Sequence, residues 1–274
     1  MGNRLTAAVV VKDEARYLPQ WIEYHLSHGF DKFVVYNNSS TIEQDPSRTL
    51  LPYIRDGIVE VVDIPRFYKN RPPGAGWWAI NKFQYLDCTW VWAASVDEYF
   101  YSPTGETVSS ILRSFETTSI SSLCVNWLIF NSEGPTDTGL VIERFTKCFR
   151  DVNEHIKSIA RQGQYSRWID PHCVENPHGF ACVNELHHHV GGPWSHEFTA
   201  ERLVIYHYQC MSRAEYDVKM DKGRADIPGA EDVRRGSDRE TWDGLHTGER
   251  MERSELVLKG PWVREQILKR YNLL

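Results

Sequence analysis

The beginning of the sequence alternates short apolar runs with stretches of helical spacing. Three of the apolar runs, rich in Val and Ile, are predicted as strands buried on both faces: residues 5–11, 32–36 and 58–64. Between the first two, apolar residues recur at helical spacing over residues 18–26, and Gly29 follows where a helix C-cap glycine is common. A second helical stretch, residues 50–55, precedes the third run. This alternation predicts an α/β fold with a mainly parallel sheet and helices on both of its faces.

Composition limits the classes of function. With 274 residues, of which 41% are hydrophobic, the chain can bury the core of one large domain or two small ones. Its net charge of -6 and its lack of long basic runs argue against a nucleic-acid partner. No apolar stretch reaches 18 residues, and charge soon interrupts the first one, so we expect no signal peptide or integral membrane segment. We therefore expect a soluble, cytoplasmic protein whose six cysteines are free thiols.

An acidic pair follows a fourth predicted strand, residues 90–96. Asp97 and Glu98 stand side by side there among aromatic residues. In open α/β sheets ligands bind beyond the carboxyl ends of the strands, so residues that follow the strands are expected to line one crevice. An Asp in that position suits a hard divalent cation, which shares its remaining positions with phosphate and water. The alternative is that Asp97 only caps a turn.

Blocks of residues spread over roughly 7–224 carry a resemblance to a known family. They are Lys12-Asp13-Glu14 with Tyr17-Leu18, Trp21, His25 and Gly29, then Tyr36 to Ser40, Asp97-Glu98-Tyr99, residues 127–146, Lys157-Ser158-Ile159, and His207-Tyr208 with Ser212, Glu215, Lys219 and Gly223. In this order they resemble glycosyltransferase family 92 and the related family 2 glycosyltransferases. The resemblance implies a GT-A fold, which is a Rossmann-like mixed sheet, and inverting transfer of a sugar from a nucleotide donor.

The resemblance also implies a division of the chain. We expect a glycosyltransferase domain over residues 1–224, with a nucleotide-binding half at 1–105 and an acceptor half at 106–224. Residues 225–274 are expected to form a charged C-terminal extension.

Animal members of the family carry a membrane anchor that is not found in this sequence, which suits a bacterial or viral soluble enzyme.

Two positions depart from the family pattern. Ser95 stands where the family has the first Asp of its Asp-x-Asp motif, so Asp97 alone can bind a metal directly from that motif. Glu133 falls where the family usually has a small residue, and its role cannot be carried over.

Neutralising the diphosphate leaving group requires a metal ion or Lys and Arg side chains. We expect Mn²⁺ or Mg²⁺ on Asp97, with His207 or His172 completing the coordination, and Lys157 or Lys82 on a phosphate oxygen. The expected donor-binding residues are Val11, Lys12, Asp13, Glu14, Asn37, Asn38, Ser39, Lys82, Ser95, Val96 and Lys157. For residues 12–14 the alternative is a charge pattern at a helix N-terminus. The favoured donor is a UDP-sugar, with UDP-galactose suggested by the relatives that the chain resembles.

Inverting transfer needs a general base for the acceptor hydroxyl of the glycan. Glu133, in a predicted turn after the strand at 123–130, is the first candidate, and Glu98 is the second. A solvated turn residue is the alternative for Glu133.

Because side chains alternate along an extended backbone, Glu98 is expected to point away from Asp97, towards a helix or a backbone donor. Ser95 is expected on the same face as Asp97. Trp77, Trp78 and Trp127 are candidates for stacking on sugar rings or for core packing.

The region from 161 to 194 allows a different hypothesis. It is rich in His and Cys and has little periodicity: His172, Cys173, His178, Cys182 and the run His187 to His189. These residues could form a zinc site in a nucleotide-binding protein without transferase activity. The spacing of the two cysteines does not match the short knuckle of structural zinc sites, in which two to four residues separate the cysteines.

Overall fold

The structure is a computed structural model that describes residues 5–69, 74–116, 119–131, 139–223 and 248–273. Within these residues the strands are β1 (Leu5–Val11), β2 (Lys32–Asn37), β3 (Val59–Asp63), β4 (Trp90–Ala94), β5 (Glu98–Tyr101), β6 (Ile120–Ile129), β7 (Lys147–Phe149), β8 (Asn153–Arg161), β9 (Arg167–Trp168), β10 (Val174–Glu175), β11 (Ala181–Val183), β12 (Val204–His207) and β13 (Arg250–Glu252). The α-helices are α1 (Leu18–Leu26), α2 (Pro46–Thr49), α3 (Leu51–Arg55), α4 (Arg66–Lys69), α5 (Gly74–Ile80), α6 (Val108–Arg113), α7 (Val141–Arg144), α8 (Arg213–Lys222) and α9 (Gly260–Arg270). Short 3-10 helices cover Ala15–Tyr17, Phe83–Tyr85 and Val257–Lys259.

The main sheet begins with four parallel strands in the order β3-β2-β1-β4. β1 has the predicted bounds, because its seven residues are apolar or small and almost completely buried. β2 and β3 differ from the predicted strands only at their ends. The sheet continues in the order β4-β8-β6-β12-β5, with β11 beside β6. The predicted α/β class with a mixed, mainly parallel sheet is confirmed.

Strand β8 is the largest departure from the prediction, which assigned no strand there. It lies between β4 and β6 and runs antiparallel to both. Its sequence, NEHIKSIAR, lacks the continuous apolar run of a buried strand, yet Lys157 and Ser158 are buried in the middle of the sheet. Tertiary partners therefore stabilise this strand, because its own sequence pattern does not specify it.

The sheet is strongly curled. β4 ends at Ala94 and β5 begins at Glu98, although β8, β6 and β12 lie between them in the sheet. In a flat sheet four strand steps would separate them by about 19 Å. Four residues reach only about 14 Å. The sheet must therefore bend until β5 returns towards β4.

The connection between β4 and β5 is a turn in which the Glu98 amide donates to the Ser95 carbonyl at 3.2 Å. The predicted strand extending to Val96 was wrong, since the strand ends at Ala94. Alternation of side chains along a strand therefore does not apply to Ser95, Val96 and Asp97.

Two apolar cores cover the two faces of the sheet. Ala7 and Val9 of β1 face one core, and Ala8 faces the other. The first core contains Trp21 of α1, and the second contains Ala79 of α5. Helices on both faces, as predicted, bury the alternating side chains of the same strand.

The described part of the C-terminal segment, residues 248–273, packs against the rest of the chain. β13 pairs antiparallel with β7, and α9 packs against α1. Arg270 of α9 forms ion pairs with Glu23 at 3.2 Å and with Asp56 at 2.8 Å.

Of the helices in the described ranges, none has both the length and the apolar composition needed to cross a membrane.

Candidate active site

The strand directions bring the candidate residues to one edge of the sheet. β4, β6 and β12 end at this edge, and the antiparallel strands β5 and β8 begin there. A cavity of about 420 Å³ opens at this position. The crevice expected beyond the strand ends is therefore present. The expected site residues in its wall are Glu14, Ser95, Val96, Asp97, Glu98, Lys157, His172 and His207.

Asp97 lies at the centre of the charged groups in the cavity. The Lys219 Nζ atom is 2.6 Å from Asp97 Oδ2, and the His207 Nε2 atom is 3.5 Å from the same oxygen. His207 reaches this place because β12 pairs with β5 in a register that sets His207 opposite Glu98. Burial alone would raise the pKa of Asp97, but Lys219 and His207 outweigh it and hold the pKa well below its ordinary value. Asp97 is therefore ionised.

Glu98 has a different role from its neighbour. Its side chain is fully buried, Oε2 accepts a hydrogen bond from the Ser95 amide at 3.1 Å, and Oε1 is 3.5 Å from Lys157 Nζ. Burial raises the pKa of Glu98, although Lys157 opposes this. The backbone carbonyl of Glu98 also accepts a hydrogen bond from Trp21 Nε1 at 2.9 Å. These contacts suit a residue that holds the turn in place better than one that takes a proton from an acceptor.

Helix α8 supplies two lysines that the sequence analysis did not assign to the site. Lys219 and Lys222 are three residues apart and therefore lie on the same side of the helix. Lys222 Nζ is 2.8 Å from Glu14 Oε1 and donates to the Lys12 carbonyl at 2.8 Å. The signal available in the sequence is a pair of lysines at helical spacing between Ser212, a common N-cap residue type, and Gly223.

The charged groups of the cavity wall neutralise one another. The carboxylates are Glu14, Asp97 and Glu98, and the ammonium groups are Lys157, Lys219 and Lys222. Their formal charges cancel. A diphosphate that enters the cavity would therefore meet no net positive charge from these six groups.

Asp97 and His207 fit a divalent cation. They offer one carboxylate oxygen and one imidazole nitrogen close together. Within the described ranges no group of three or more His, Cys, Asp or Glu side chains is arranged to hold a metal. A cation here would thus take its other ligands from the diphosphate and water, as Mg²⁺ commonly does at phosphate sites. His172, the third expected ligand, lines the same cavity.

A row of aromatic rings and histidines leads away from the cavity. Trp127 lies 4.3 Å from His207 and stacks on His155 at 5.3 Å, measured between ring centroids. Trp194 follows His155 at 6.1 Å between ring centroids and is 48% exposed.

His172 also contacts Trp127. Burial together with Lys157 lowers the pKa of His172 to about 4, so its ring is neutral at pH 7. Of the three expected stacking residues, Trp127 lines the cavity, whereas Trp78 packs on Tyr36 and Tyr68 and Trp77 is exposed.

The ends of β1 and β2 are held together by the other expected donor-binding residues. The Val11 carbonyl accepts a hydrogen bond from the Asn38 amide at 2.8 Å. Asp13, which has a left-handed backbone with φ of 55°, accepts from the amide and hydroxyl of Ser40. The side chain of Asn37 donates to Asp63 and accepts from the Ser39 amide.

Not every expected residue reaches the cavity. Among the described residues, the wall does not include Val11, Lys12, Asp13, Asn37, Asn38, Ser39 or Lys82. The ammonium of Lys82 lies over the Trp78 ring, 5.4 Å from its centroid. Glu133 lies outside the described residues.

The described structure does not support the alternative hypothesis of a zinc site. Cys182 contacts Cys124, Ser121 and Asn176, and His172 Nδ1 donates to the Ile156 carbonyl. In the described region 161–194 no three of the His and Cys side chains come together as metal ligands. Burial raises the pKa of Cys173 to about 12, so its thiol is protonated in this environment.

Comparison with known proteins decides the family. The sequence profile of glycosyltransferase family 92 matches residues 8–227. The chain belongs to glycosyltransferase family 92. A rice (Oryza sativa subsp. japonica) glycosyltransferase family 92 protein is 24% identical over 126 residues, which are 42% of this chain and 19% of the rice protein. This family 92 chain therefore spans about a fifth of that relative.

Solved structures of TarS from S. aureus are also similar to this family 92 chain. One TarS structure matches 50% of this chain and 24% of TarS, with 13% sequence identity and a TM-score of 0.36. TarS 1-349 in complex with UDP-GlcNAc matches 50% of this chain and 36% of that structure, with 13% identity and a TM-score of 0.32.

Proposed function

We propose that this glycosyltransferase inverts the anomeric centre as it moves a sugar from a UDP-sugar to a hydroxyl group of a glycan. The observation that carries the proposal is the cavity at the strand ends of a family 92 chain, where Asp97, His207 and three lysines converge. UDP, with galactose as the sugar, rests on the resemblance to family members that use UDP-galactose.

The donor side of the reaction needs the departing diphosphate to be stabilised. Asp97 and His207 would hold Mn²⁺ or Mg²⁺, which supplies Lewis-acid neutralisation of the diphosphate. Lys157, Lys219 and Lys222 add positive charge from the wall of the cavity. Glu98 acts indirectly, because it holds the turn that presents Asp97 and also orients Lys157.

The acceptor side needs an apolar surface and a base. Sugar rings present C–H faces that pack on aromatic rings, and the row from Trp127 through His155 to the exposed Trp194 offers such a surface beside the cavity. Glu133 remains our candidate for the general base, since it follows the strand that carries Trp127. Glu98 is the second choice, and it would first have to release Ser95 and Lys157.

Thermal stabilisation by nucleotide sugars, with and without Mn²⁺, tests the function. A ligand at about a hundred times its dissociation constant adds about 2.7 kcal/mol to the free energy of unfolding. We expect UDP-sugars with Mn²⁺ to raise the melting temperature more than GDP- or CMP-sugars. If no nucleotide sugar stabilises the protein under either condition, the proposed donor class is wrong.

Glu133→Gln tests the base. The change removes the proton acceptor and keeps the size of the side chain, so transfer to acceptor should fall by about two to four powers of ten. Donor binding, measured by calorimetry, should remain near that of the wild type. Turnover close to normal would move the role to Glu98 or another carboxylate.

A further inference from the structure

Lys219 contacts the same carboxylate oxygen of Asp97 that faces His207. Its ammonium lies 2.6 Å from Asp97 Oδ2, closer than His207 Nε2 at 3.5 Å from the same oxygen. Its second hydrogen bond goes to the Gln209 carbonyl at 3.0 Å. Burial lowers the pKa of Lys219, but Asp97 more than offsets this and raises it, so the ammonium remains charged.

A divalent cation that binds alone must compete with this ammonium. It would take the Asp97 oxygen while a positive charge remains next to it, and like charges in close contact oppose each other. If a diphosphate enters with the cation, Lys219 loses Asp97 and gains phosphate oxygens. Lys219 therefore still has an anionic partner after the exchange.

Lys219 is able to make this exchange. Its side chain is 27% exposed, compared with 12% for Asp97 and 13% for Lys222, and it lines the cavity from the last turns of α8. A lysine carries a point charge on a flexible stem, so its ammonium can move while the helix stays in place. Asp97, by contrast, sits in a turn fixed by Glu98 and by the Tyr208 amide, which donates to the Asp97 carbonyl at 2.8 Å.

We propose that Lys219 is a placeholder for the metal ion and couples its binding to that of the donor diphosphate. Without donor, Lys219 neutralises Asp97 and weakens metal binding. With donor, Lys219 transfers to the diphosphate and frees Asp97 for the metal. The inference rests on the proposed nucleotide-sugar function. It adds that the metal ion and the diphosphate bind together.

Mn²⁺ binding, measured by calorimetry and by the EPR signal of free Mn²⁺, tests the coupling. The measurement is made without nucleotide and with saturating UDP, on the wild type and on Lys219→Met. For the wild type we expect UDP to tighten Mn²⁺ binding by about ten- to a hundredfold, within the usual range of coupling between two ligands. In Lys219→Met, Mn²⁺ alone should bind about tenfold more tightly than to the wild type, and the gain from UDP should shrink.

Two further variants make the result specific. Lys219→Arg keeps the positive charge and should preserve most of the coupling. Arg213→Met removes one positive charge from the same helix at an exposed ion pair with Asp217, and should leave Mn²⁺ binding as in the wild type. Melting temperatures of all variants establish that each is folded.

The outcomes separate this inference from the proposed function. If the wild type binds UDP with Mn²⁺ but Lys219→Met has wild-type affinity for Mn²⁺ alone, the placeholder role is wrong and the function stands. If the wild type binds no UDP with or without Mn²⁺, both fail. If Lys219→Met and Arg213→Met tighten Mn²⁺ binding equally, the change in net charge alone explains the effect. That result would also overturn the inference.

Discussion

The two ends of helix α8 carry buried ion pairs of opposite character. Near its N-terminus, the Glu215 carboxylate accepts hydrogen bonds from Arg144 at 2.8 and 2.9 Å, and from Ser212, Tyr17 and Arg16. Near its C-terminus, Lys219 and Lys222 pair with carboxylates in the cavity wall. The first network is filled by the protein alone, whereas the second faces space that a ligand can enter.

The N-terminal end of α8 is thus held by the rest of the protein, whereas its C-terminal end presents two lysines to the cavity. Arg144 and Glu215 have side chains only 4% and 5% exposed, so neither can exchange its partner for water. Although burial would raise the pKa of Glu215, the bonds from Arg144 and Ser212 outweigh it and lower the pKa to about 2. The anchored end fixes the direction of α8 and so determines where the two lysines reach.

Asp97→Asn should have the largest effect at the cavity end. The amide loses the charge that attracts a divalent cation, so Mn²⁺-dependent donor binding should be abolished in calorimetry. Unfolding free energy should change little, because Lys219, with a side chain 27% exposed, can turn towards solvent. A variant that binds Mn²⁺ and UDP as tightly as the wild type would show that Asp97 only forms the turn.

Arg144→Met should act at the anchored end and mainly on stability. Removing one partner of a buried ion pair leaves the other charge uncompensated, which typically costs about 3–5 kcal/mol. Denaturant unfolding measures this loss. The double variant Arg144→Met with Glu215→Met should recover part of it. If Arg144→Met instead leaves stability unchanged and weakens donor binding, the division between the two ends fails.

Acid should weaken the anchored end in a defined range of pH. Glu215 has an ordinary pKa of 4.5 and a folded pKa of about 2, so its contribution is complete above about pH 4.5 and is lost as pH falls towards 2. The shift corresponds to at most about 3 kcal/mol. Unfolding free energy measured from pH 5 to pH 2.5 should fall less steeply in Glu215→Gln than in the wild type. Identical slopes would contradict the assignment.

Ser212→Ala should have the smallest effect. Ser212 caps α8, since its hydroxyl accepts from the Glu215 amide while the Glu215 carboxylate accepts from the Ser212 amide. Loss of such a cap costs about 1 kcal/mol. Thermal unfolding should register this loss, with donor affinity unchanged. A large drop in donor affinity would mean that the cap also positions Lys219.

Much of the sheet could be predicted because its strands are specified locally. The run at Leu5–Val11 is continuous and apolar, and the residues that follow β1 and β4 lie at one edge because parallel strands share a direction. Ser212 as the cap and Gly223 as the end of α8 were also readable from their residue types. These features depend on neighbours a few positions away.

The features that were not predicted depend on residues far apart in the sequence. β8 is a strand because β4 and β6 pair with it on both sides, and its polar residues are buried by that pairing. The curl of the sheet at the Ser95 to Glu98 turn is not indicated by any local pattern in this stretch, although a turn was the alternative for Asp97. Likewise the partners of Lys219 and Lys222 follow from the assembled fold.

The curled sheet has a consequence for how the protein acquires its site. β5 follows β4 directly in the chain, but its neighbour in the sheet is β12, which is synthesised much later. A nascent chain that has emerged only through β8 therefore has the turn sequence that carries Asp97 and no strand to hold the far side of that turn. Such long-range pairing is slow to form. The Asp97 turn can therefore acquire its neighbour His207 only after β12 has been synthesised, so the cavity wall is completed late in the growth of the chain.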